Sequence, residues 1–385
     1  MTAMTRPLID CSLQAAFTAA PPGFAAACHR LGYQAGALGM RCEQTERLQT
    51  AYGFSFDLHT PFTKVVRTTL HGWGEGESRP ISEILLQAAS GLMSVHGRAT
   101  GGTRPLGVDY VSTLASVQAL QGAIACAVGQ LRGGRFDRCN LSLYAAALLA
   151  ISQYLAGATA PEDAEQLLPG RLFADDHPPF VSTDGVRFEL ETLEAGPWLH
   201  FWATVGVAQE VAGLGWRSFQ LRYAKAIAPQ PAPLLAAVAS LPYARLSELA
   251  KESGIALCPV RTLADRARDP DTALLLSQGP WTFSFTGQPG GERPAASSGN
   301  LPLSGLTIVE SCRRIQGPLA GHLLASLGAK VIRVEPPGGD PLRGMPPIAE
   351  GCSARFDALN HLKASLYTQA PEHKLCYLFH SESTQ

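Results

Sequence analysis

Residues 303–340 constrain this chain more than any other stretch. Leu303-Ser-Gly-Leu-Thr-Ile-Val-Glu310 is short, apolar and β-branched, and it leads through Arg313 to a Gly317-Pro318 turn. Leu327-Gly-Ala-Lys-Val-Ile-Arg-Val-Glu335 follows and stops at Pro336-Pro-Gly-Gly-Asp340. The spacing predicts strand, turn, helix and second strand. That is how a nucleotide-type α/β domain opens, yet here it begins at about residue 303 of 385.

A strand that turns tightly into a helix leaves backbone N–H groups unpaired at the helix start. With the helix dipole, those groups favour a phosphate. Arg313, Arg343 and Lys363 supply cations nearby in sequence, and Glu335 ends the second strand where an acidic residue often meets a ribose. The G-x-G-x-x-G fingerprint is absent, so a standard nicotinamide site is not supported. Two readings stand side by side: a phosphate-binding unit, or a structural βαβ unit with solvated charges.

The remaining composition sets outer limits. A length of 385 residues predicts about two to three domains, and 46% hydrophobic content allows a large core. A formal net charge of -1 gives no reason to invoke nucleic acid or an anionic membrane. Nine cysteines are scattered without a C-x-x-C pair or a histidine cluster at ligand spacing, so no metal site is expected and a reducing, cytoplasmic setting fits. The N-terminus lacks a long apolar core behind a basic region, so no signal peptide is read there. The run Leu143–Leu155 is too short for a bilayer, which takes about 20 residues, and reads as a buried helix.

Along the chain, residues 1–57 give little periodicity beyond a helix within Phe17–Leu31. They are read as a degenerate or partial N-terminal segment. Residues 58–160 hold a strand at Val65–Leu70, a helix over Glu83–Met93, a long apolar helix over Thr113–Leu131 and a buried helix over Asn140–Leu155. Pro161–Pro179 reads as a linker. Residues 175–275 form a smaller domain with a hairpin at Asp184-Gly185, helices to Ala250, a strand in Ile255–Leu263 and a helix in Ala264–Arg268. Residues 287–300 are rich in Gly, Pro and Ser and read as the clearest linker, ahead of the α/β unit at 301–385.

Three stretches together resemble the class III CoA-transferases, the superfamily of formyl-CoA and carnitine-CoA transferases and α-methylacyl-CoA racemase. Pro302 to Asp340 is similar to the family's N-terminal signature, with Arg313 at the motif arginine and Gln316 where alanine is usual. Leu359-Asn360, Lys363 and Ser365 resemble the L-N-x-x-K-x-S element that follows it. Thr69–Gly76, Ser82–Met93, Val95-His-Gly97, Pro105–Asp109, Gly134-Arg135 and Asn140–Tyr144 resemble the middle of the large domain. Gly254–Ala264 with Asp269-Pro270 resembles the exit from the small domain. The resemblance implies an α/β fold: a Rossmann-like large domain of this family's type with a smaller α+β domain, working as a homodimer.

It also implies chemistry. The matching aspartate, Asp109, would attack an acyl-CoA thioester to give a mixed anhydride. CoA thiolate would return to form an aspartyl-CoA thioester, and an acceptor carboxylate would collect the CoA. A carboxylate with a reference pKa of about 3.9 needs no activating base, and covalent capture divides one hard exchange into easier steps. Backbone N–H groups near Gly107 would suit the oxyanion. Read without the resemblance, Asp109 is a helix N-cap ahead of an apolar helix. By resemblance, CoA contacts fall to Arg313, Gly317, Pro318, Glu335, Pro336, Arg343, Asn360, Lys363 and His71; His71 read alone is a solvent-facing strand end. The partners are an acyl-CoA and a small carboxylic acid, with CoA thioester as substrate and no permanently bound cofactor.

Racemases of the superfamily carry a histidine about where Ser82 stands, which makes proton exchange at the α-carbon the least favoured activity. His96 reads as a surface or loop residue. The glycine-rich loop of formyl-CoA transferases is not evident. Family members begin with the signature that here comes last. A tandem gene with a degenerate first copy, a permutation, and a truncating frameshift each account for that order; a tandem or truncated gene is favoured. The remaining alternative to a transferase is a non-catalytic CoA-binding or partner subunit.

Overall fold

The computed structural model describes residues 6–46, 50–98, 102–160, 180–192, 194–225, 227–279, 281–284 and 299–367. The expected linker at 161–179, most of that at 287–300 and the tail after Tyr367 lie outside the described residues. Contacts divide the chain into two compact units. One comprises Met1–Leu92, Leu106–Glu162 and Trp281–Gln385, the other Met93–Pro105 and Asp163–Pro280.

The first unit opens with β1 (Ser12–Ala15), α1 (Ala25–Leu38), β2 (Arg41–Gln44), β3 (Gly53–His59) and β4 (Val66–His71). Then come α2 (Glu83–Ser90), a short α3 (Leu92–Gly97) that from Met93 onward belongs to the second unit, and, back in the first, α4 (Tyr110–Leu131), β5 (Arg138–Ser142), α5 (Leu143–Ala150) and α6 (Ser152–Thr159). Five strands form one sheet in the order β2-β1-β3-β4-β5. The outer pairs, β1 with β2 and β4 with β5, are parallel, whereas β3 runs antiparallel to both β1 and β4. Residues 1–57 supply β1, β2 and the first five residues of β3. Their core residues Leu13, Phe24, Leu31, Phe54 and Phe56 pack with Val111, Ala115 and Ala119 of α4. The helix expected within Phe17–Leu31 forms later, over Ala25–Leu38, and ends at Gly39 with φ 101°. The single helix read over Asn140–Leu155 is instead a strand and two helices, because Arg138–Ser142 pairs with β4 and Ser142 then caps α5. Glu83–Met93 likewise breaks at Gly91, φ 90°.

α4 is long and apolar enough to cross a membrane by length and composition, but 67% of that window is buried inside the fold. Small residues on it, Ala115, Ala119, Ala123 and Cys126, are buried in the core.

The second unit carries β6 (Phe180–Val181), β7 (Arg187–Glu191), α7 (Ala195–Thr204), α8 (Gln209–Lys225), α9 (Ala232–Ala239), α10 (Tyr243–Ser253), β8 (Ala256–Pro259), α11 (Leu263–Arg268) and α12 (Pro270–Gln278). β6, β7 and β8 form an antiparallel sheet, with the expected turn at Asp184-Gly185. Its core is aromatic: Phe180, Phe188, Trp198, Phe201, Trp202 and Phe219 are buried together.

The chain then returns to the first unit with β9 (Thr307–Glu310), α13 (Gln316–Ser326), β10 (Lys330–Glu335), the hairpin β11 (Ile348–Ala349) and β12 (Cys352–Ser353), α14 (Ala354–Asn360) and β13 (Ala364–Tyr367). β9, β10 and β13 form a parallel sheet with β10 in the centre. This unit rests on α4: Leu303 and Ala329 are buried with Ala125, and the Arg132 Nη1 donates to the Ser304 carbonyl at 2.9 Å. α14 packs against α6.

Candidate functional site

Two groups of residues in the first unit bring together side chains singled out by the sequence. The first lies where α4 begins. Asp109 occupies the N-cap position, with φ -76° and ψ 62°, and its side chain makes no cap hydrogen bond. The cap comes from elsewhere. Glu83, in the first turn of α2, accepts from the Val111 amide through Oε1 at 2.9 Å and from the Ser112 amide through Oε2 at 2.9 Å. The Ser112 hydroxyl adds a third bond to Oε2 at 2.8 Å. Gln87, one turn along α2, donates to Glu83 Oε1 at 2.8 Å and to the Val108 carbonyl at 3.2 Å, and its Oε1 accepts from the Leu106 amide at 2.8 Å. The two side chains fasten residues 106–112 to α2. Among the described residues, no hydrogen bond or ion pair reaches the half-buried Asp109 carboxylate.

Sequence reasoning missed Glu83 and Gln87. Glu83 looks like any acid in a first helical turn. The available signal was the i, i+4 pair of a carboxylate and an amide, both on the face of α2 that meets the core.

The second group closes the β9–β13 sheet. Arg333 on β10 is buried and pairs with Glu310 at 2.9 Å, with Asp340, and with Glu335 at 3.6 Å. Lys363 donates to Glu310 Oε2 at 2.8 Å, to the Pro318 carbonyl at 2.7 Å and to Asn360 Oδ1 at 3.0 Å. Arg343 forks onto Glu335, with Nε to Oε2 at 2.8 Å and Nη2 to Oε1 at 2.5 Å. Ser365 and the Asp340 amide each add a bond to Glu335 at 2.9 Å. Gly338 and Gly339, both with φ 87°, make the turn that swings Asp340 back beneath Glu335, a left-handed pair that side chains disfavour.

Burial alone would push the Glu335 carboxyl up, but the bonds from Arg343, the Asp340 amide and Ser365 outweigh it and hold the group at about 2. Burial lowers the Lys363 ammonium against the opposing pull of Glu310. Burial, and then Glu310, raises the neighbouring Cys312 thiol to about 11.

Three of the charges read as CoA contacts pair inside the fold: Arg343 with Glu335, and Lys363, whose side chain is 0% exposed, with Glu310. The alternative of solvated charges gives way, since Arg333, Glu310, Glu335 and Asp340 are all buried. Asn360 is buried and bridges Arg333 and Lys363. Arg313 is exposed ahead of α13, and Pro318 is buried in its first turn. A Cβ on Gly317 would stand 2.5 Å from Cys312 Sγ. Pro336 opens the glycine turn by accepting from the Gly339 amide at 2.9 Å. His71 ends β4 beside Ser142, and its Nε2 is buried without a partner among the described residues, so it is not a solvent-facing strand end. No hydrogen bond joins Asp109 to any of these residues. His96 is exposed, with Nδ1 3.1 Å from the Arg104 carbonyl.

Comparison with known sequences then decides the family. The profile of CoA-transferase family III matches residues 39–275 and 303–369, most of the chain. The chain belongs to CoA-transferase family III. This family III chain is 39% identical over 85 residues to the succinate–glutarate CoA-transferase of Agrobacterium fabrum, covering 20% of this chain and 21% of that protein. It is 38% identical over 93 residues to the human succinyl-CoA:glutarate CoA-transferase, covering 22% and 21%. The aligned parts span about a fifth of each curated relative. Among solved structures, Rv3272 from Mycobacterium tuberculosis superposes with a TM-score of 0.40 at 18% identity, covering 53% of this chain and 55% of that one.

Proposed function

We propose that this family III chain transfers CoA from an acyl-CoA to a carboxylic acid, with Asp109 as the nucleophile. The Asp109 carboxylate adds to the thioester carbonyl, the C–S bond breaks, and CoA leaves as thiolate. The thiolate then attacks the aspartyl carbonyl of the resulting anhydride, the donor acid departs as its carboxylate, and an aspartyl-CoA thioester remains. An acceptor carboxylate reverses the sequence and takes the CoA. The observation that carries this reading is the uncapped Asp109: Glu83 holds the amides that an N-cap aspartate ordinarily binds, so its oxygens carry no competing bond. The names of the two relatives support a dicarboxylate as donor or acceptor acid.

We assign the CoA moiety to a Rossmann-like unit at the start of α13, with Arg313 and the backbone around Gly317 and Pro318 facing its phosphates. The packing of Leu303 and Ala329 on Ala125 of α4 supports reading the displaced signature as a permuted part of the large domain rather than the opening of a second copy. Our reading keeps a cytoplasmic homodimer without permanently bound cofactor, acting on small molecules rather than on nucleic acid or membranes. Ser82, where racemases carry histidine, caps α2 by accepting from the Leu85 amide at 3.2 Å, which suits an isomerase poorly.

A second reading, a non-catalytic CoA-binding or partner subunit, draws support from Arg343 and Lys363, whose charges are tied up in internal pairs. Incubation with a panel of acyl-CoA donors and hydroxylamine, followed by peptide mass spectrometry, separates the two. The transferase yields a hydroxamate at Asp109. A protein that binds CoA without forming one is the non-catalytic subunit.

A further inference from the structure

The start of α4 carries two carboxylates for one cap. An aspartate at the N-cap position ordinarily accepts from the second and third amides of its helix. Here those amides belong to Val111 and Ser112, and both point at Glu83, 28 and 29 residues before them in sequence. Glu83 is itself held by Gln87, and Gln87 pins the segment before Asp109 at the Leu106 amide and the Val108 carbonyl. The Asp109 backbone, at ψ 62°, lies outside the extended conformation usual for a capping residue. The two amides that an N-cap side chain ordinarily binds are therefore taken by Glu83 and not by Asp109.

We infer that Glu83 is a positioning residue: it displaces Asp109 from the helix cap and so keeps the Asp109 carboxylate free for an external electrophile or ligand. This inference rests on the reading of Asp109 as the nucleophile for its consequence in catalysis, but not for its structural content. Removing the Glu83 carboxylate returns two free amides to the helix end. Asp109 then turns inward and caps α4 itself, the helix keeps most of its stability, and the carboxylate loses reactivity because it must first break its own cap. A cap of ordinary strength leaves about a fifth of the molecules with Asp109 free, so reaction falls about fivefold or more.

A double-mutant cycle on the full chain tests this, using Glu83→Ala, Asp109→Ala and the pair, with Tm and hydroxamate formation from an acyl-CoA donor as readouts. In the wild-type background Asp109→Ala leaves Tm nearly unchanged. In the Glu83→Ala background the same change lowers Tm by about 2–4 °C, because Asp109 has become the cap. Hydroxamate at Asp109 falls about fivefold in folded Glu83→Ala. Equal Tm effects of Asp109→Ala in the two backgrounds would overturn the displaced cap. Undiminished hydroxamate in Glu83→Ala would overturn the positioning role. If the wild-type protein gives no hydroxamate, the nucleophile reading fails by itself, and the thermal cycle still decides whether Glu83 displaces Asp109. Should Glu83→Ala not fold, Glu83→Gln keeps the shape with one acceptor oxygen and enters the same comparison.

Discussion

Lys363 and Glu310 meet at 2.8 Å with both side chains sealed from solvent, at 0% and 6% exposure. The ammonium also reaches the Pro318 carbonyl, so it ties β9, the first turn of α13 and the end of α14 into one knot. Truncating one partner of such a pair strands the other charge in the interior. We expect Lys363→Met to cost about 3–5 kcal/mol in urea unfolding. The double change Lys363→Met with Glu310→Gln should recover part of that loss, since no bare charge remains. A double variant whose cost equals the sum of Lys363→Met and Glu310→Gln measured singly would mean that the pair is not coupled.

Glu335 gives the fold an acid-sensitive limb. Its folded value, about 2, lies below the ordinary 4.5, so the unfolded chain takes up the proton more readily. The resulting stabilisation is complete above about pH 4.5 and is lost as pH falls toward 2. Glu335→Gln should flatten that limb while lowering stability at neutral pH, because Arg343 loses its partner. Parallel pH–stability curves for the two proteins would place the acid sensitivity in other carboxylates.

Gly321 lies on α13 where the helix crosses the same ion pair. A Cβ there would collide with the Glu310 carboxylate and come within 3.2 Å of Lys363 Nζ. Alanine gains about 1 kcal/mol of helix propensity over glycine, but overpacking a rigid buried pair costs about 1–3 kcal/mol. We expect Gly321→Ala to destabilise on balance, read by thermal unfolding. A gain in Tm would mean that the pair shifts without cost.

Trp198 anchors the second unit. Its ring lies 4.6 Å from Phe219 and 5.4 Å from Trp202, centroid to centroid, and its Nε1 donates to the Ala212 carbonyl at 2.8 Å. Trp198→Ala leaves a large hole in the aromatic core and removes the bond to the Ala212 carbonyl, with an expected loss of about 3–5 kcal/mol. Trp198→Phe should cost less, and a similar loss for both would assign the effect to the hydrogen bond.

The C-terminal strand–helix–strand was legible because each part has its own local pattern: β-branched residues in β9 and β10, and the Gly317-Pro318 turn between them. β4 and α4 were legible for the same reason. β1 to β3 were not, since Ser12–Ala15 and Arg41–Gln44 are four residues long and gain their identity from one another through parallel pairing. The end of β5, Asn140–Ser142, reads as helix in the sequence because Leu143–Ala150 continues the apolar run; pairing with β4 fixes Arg138–Ser142 as strand. The charged residues of the last unit were legible as types but not as partners. Whether Glu335 meets a ribose or Arg343 depends on the glycine turn that brings residues 340–343 back over the strand. Asp109 was legible as an N-cap by position; only the contact with α2 shows that Glu83 has taken that task.

The separation of stability from activity at Asp109 is the most direct consequence of that contact. A capping aspartate costs about 1 kcal/mol when removed. Asp109 makes no cap bond, so Asp109→Asn should change the unfolding free energy by no more than about 0.5 kcal/mol, as surface substitutions commonly do. The same variant should give no hydroxamate from any acyl-CoA, because an amide nitrogen and its carbonyl oxygen do not replace a carboxylate nucleophile. Its affinity for CoA, measured by calorimetry, should be retained, since the CoA contacts we propose lie at the start of α13. A variant that loses stability and CoA affinity together would make Asp109 a structural residue, and the non-catalytic reading would then be preferred.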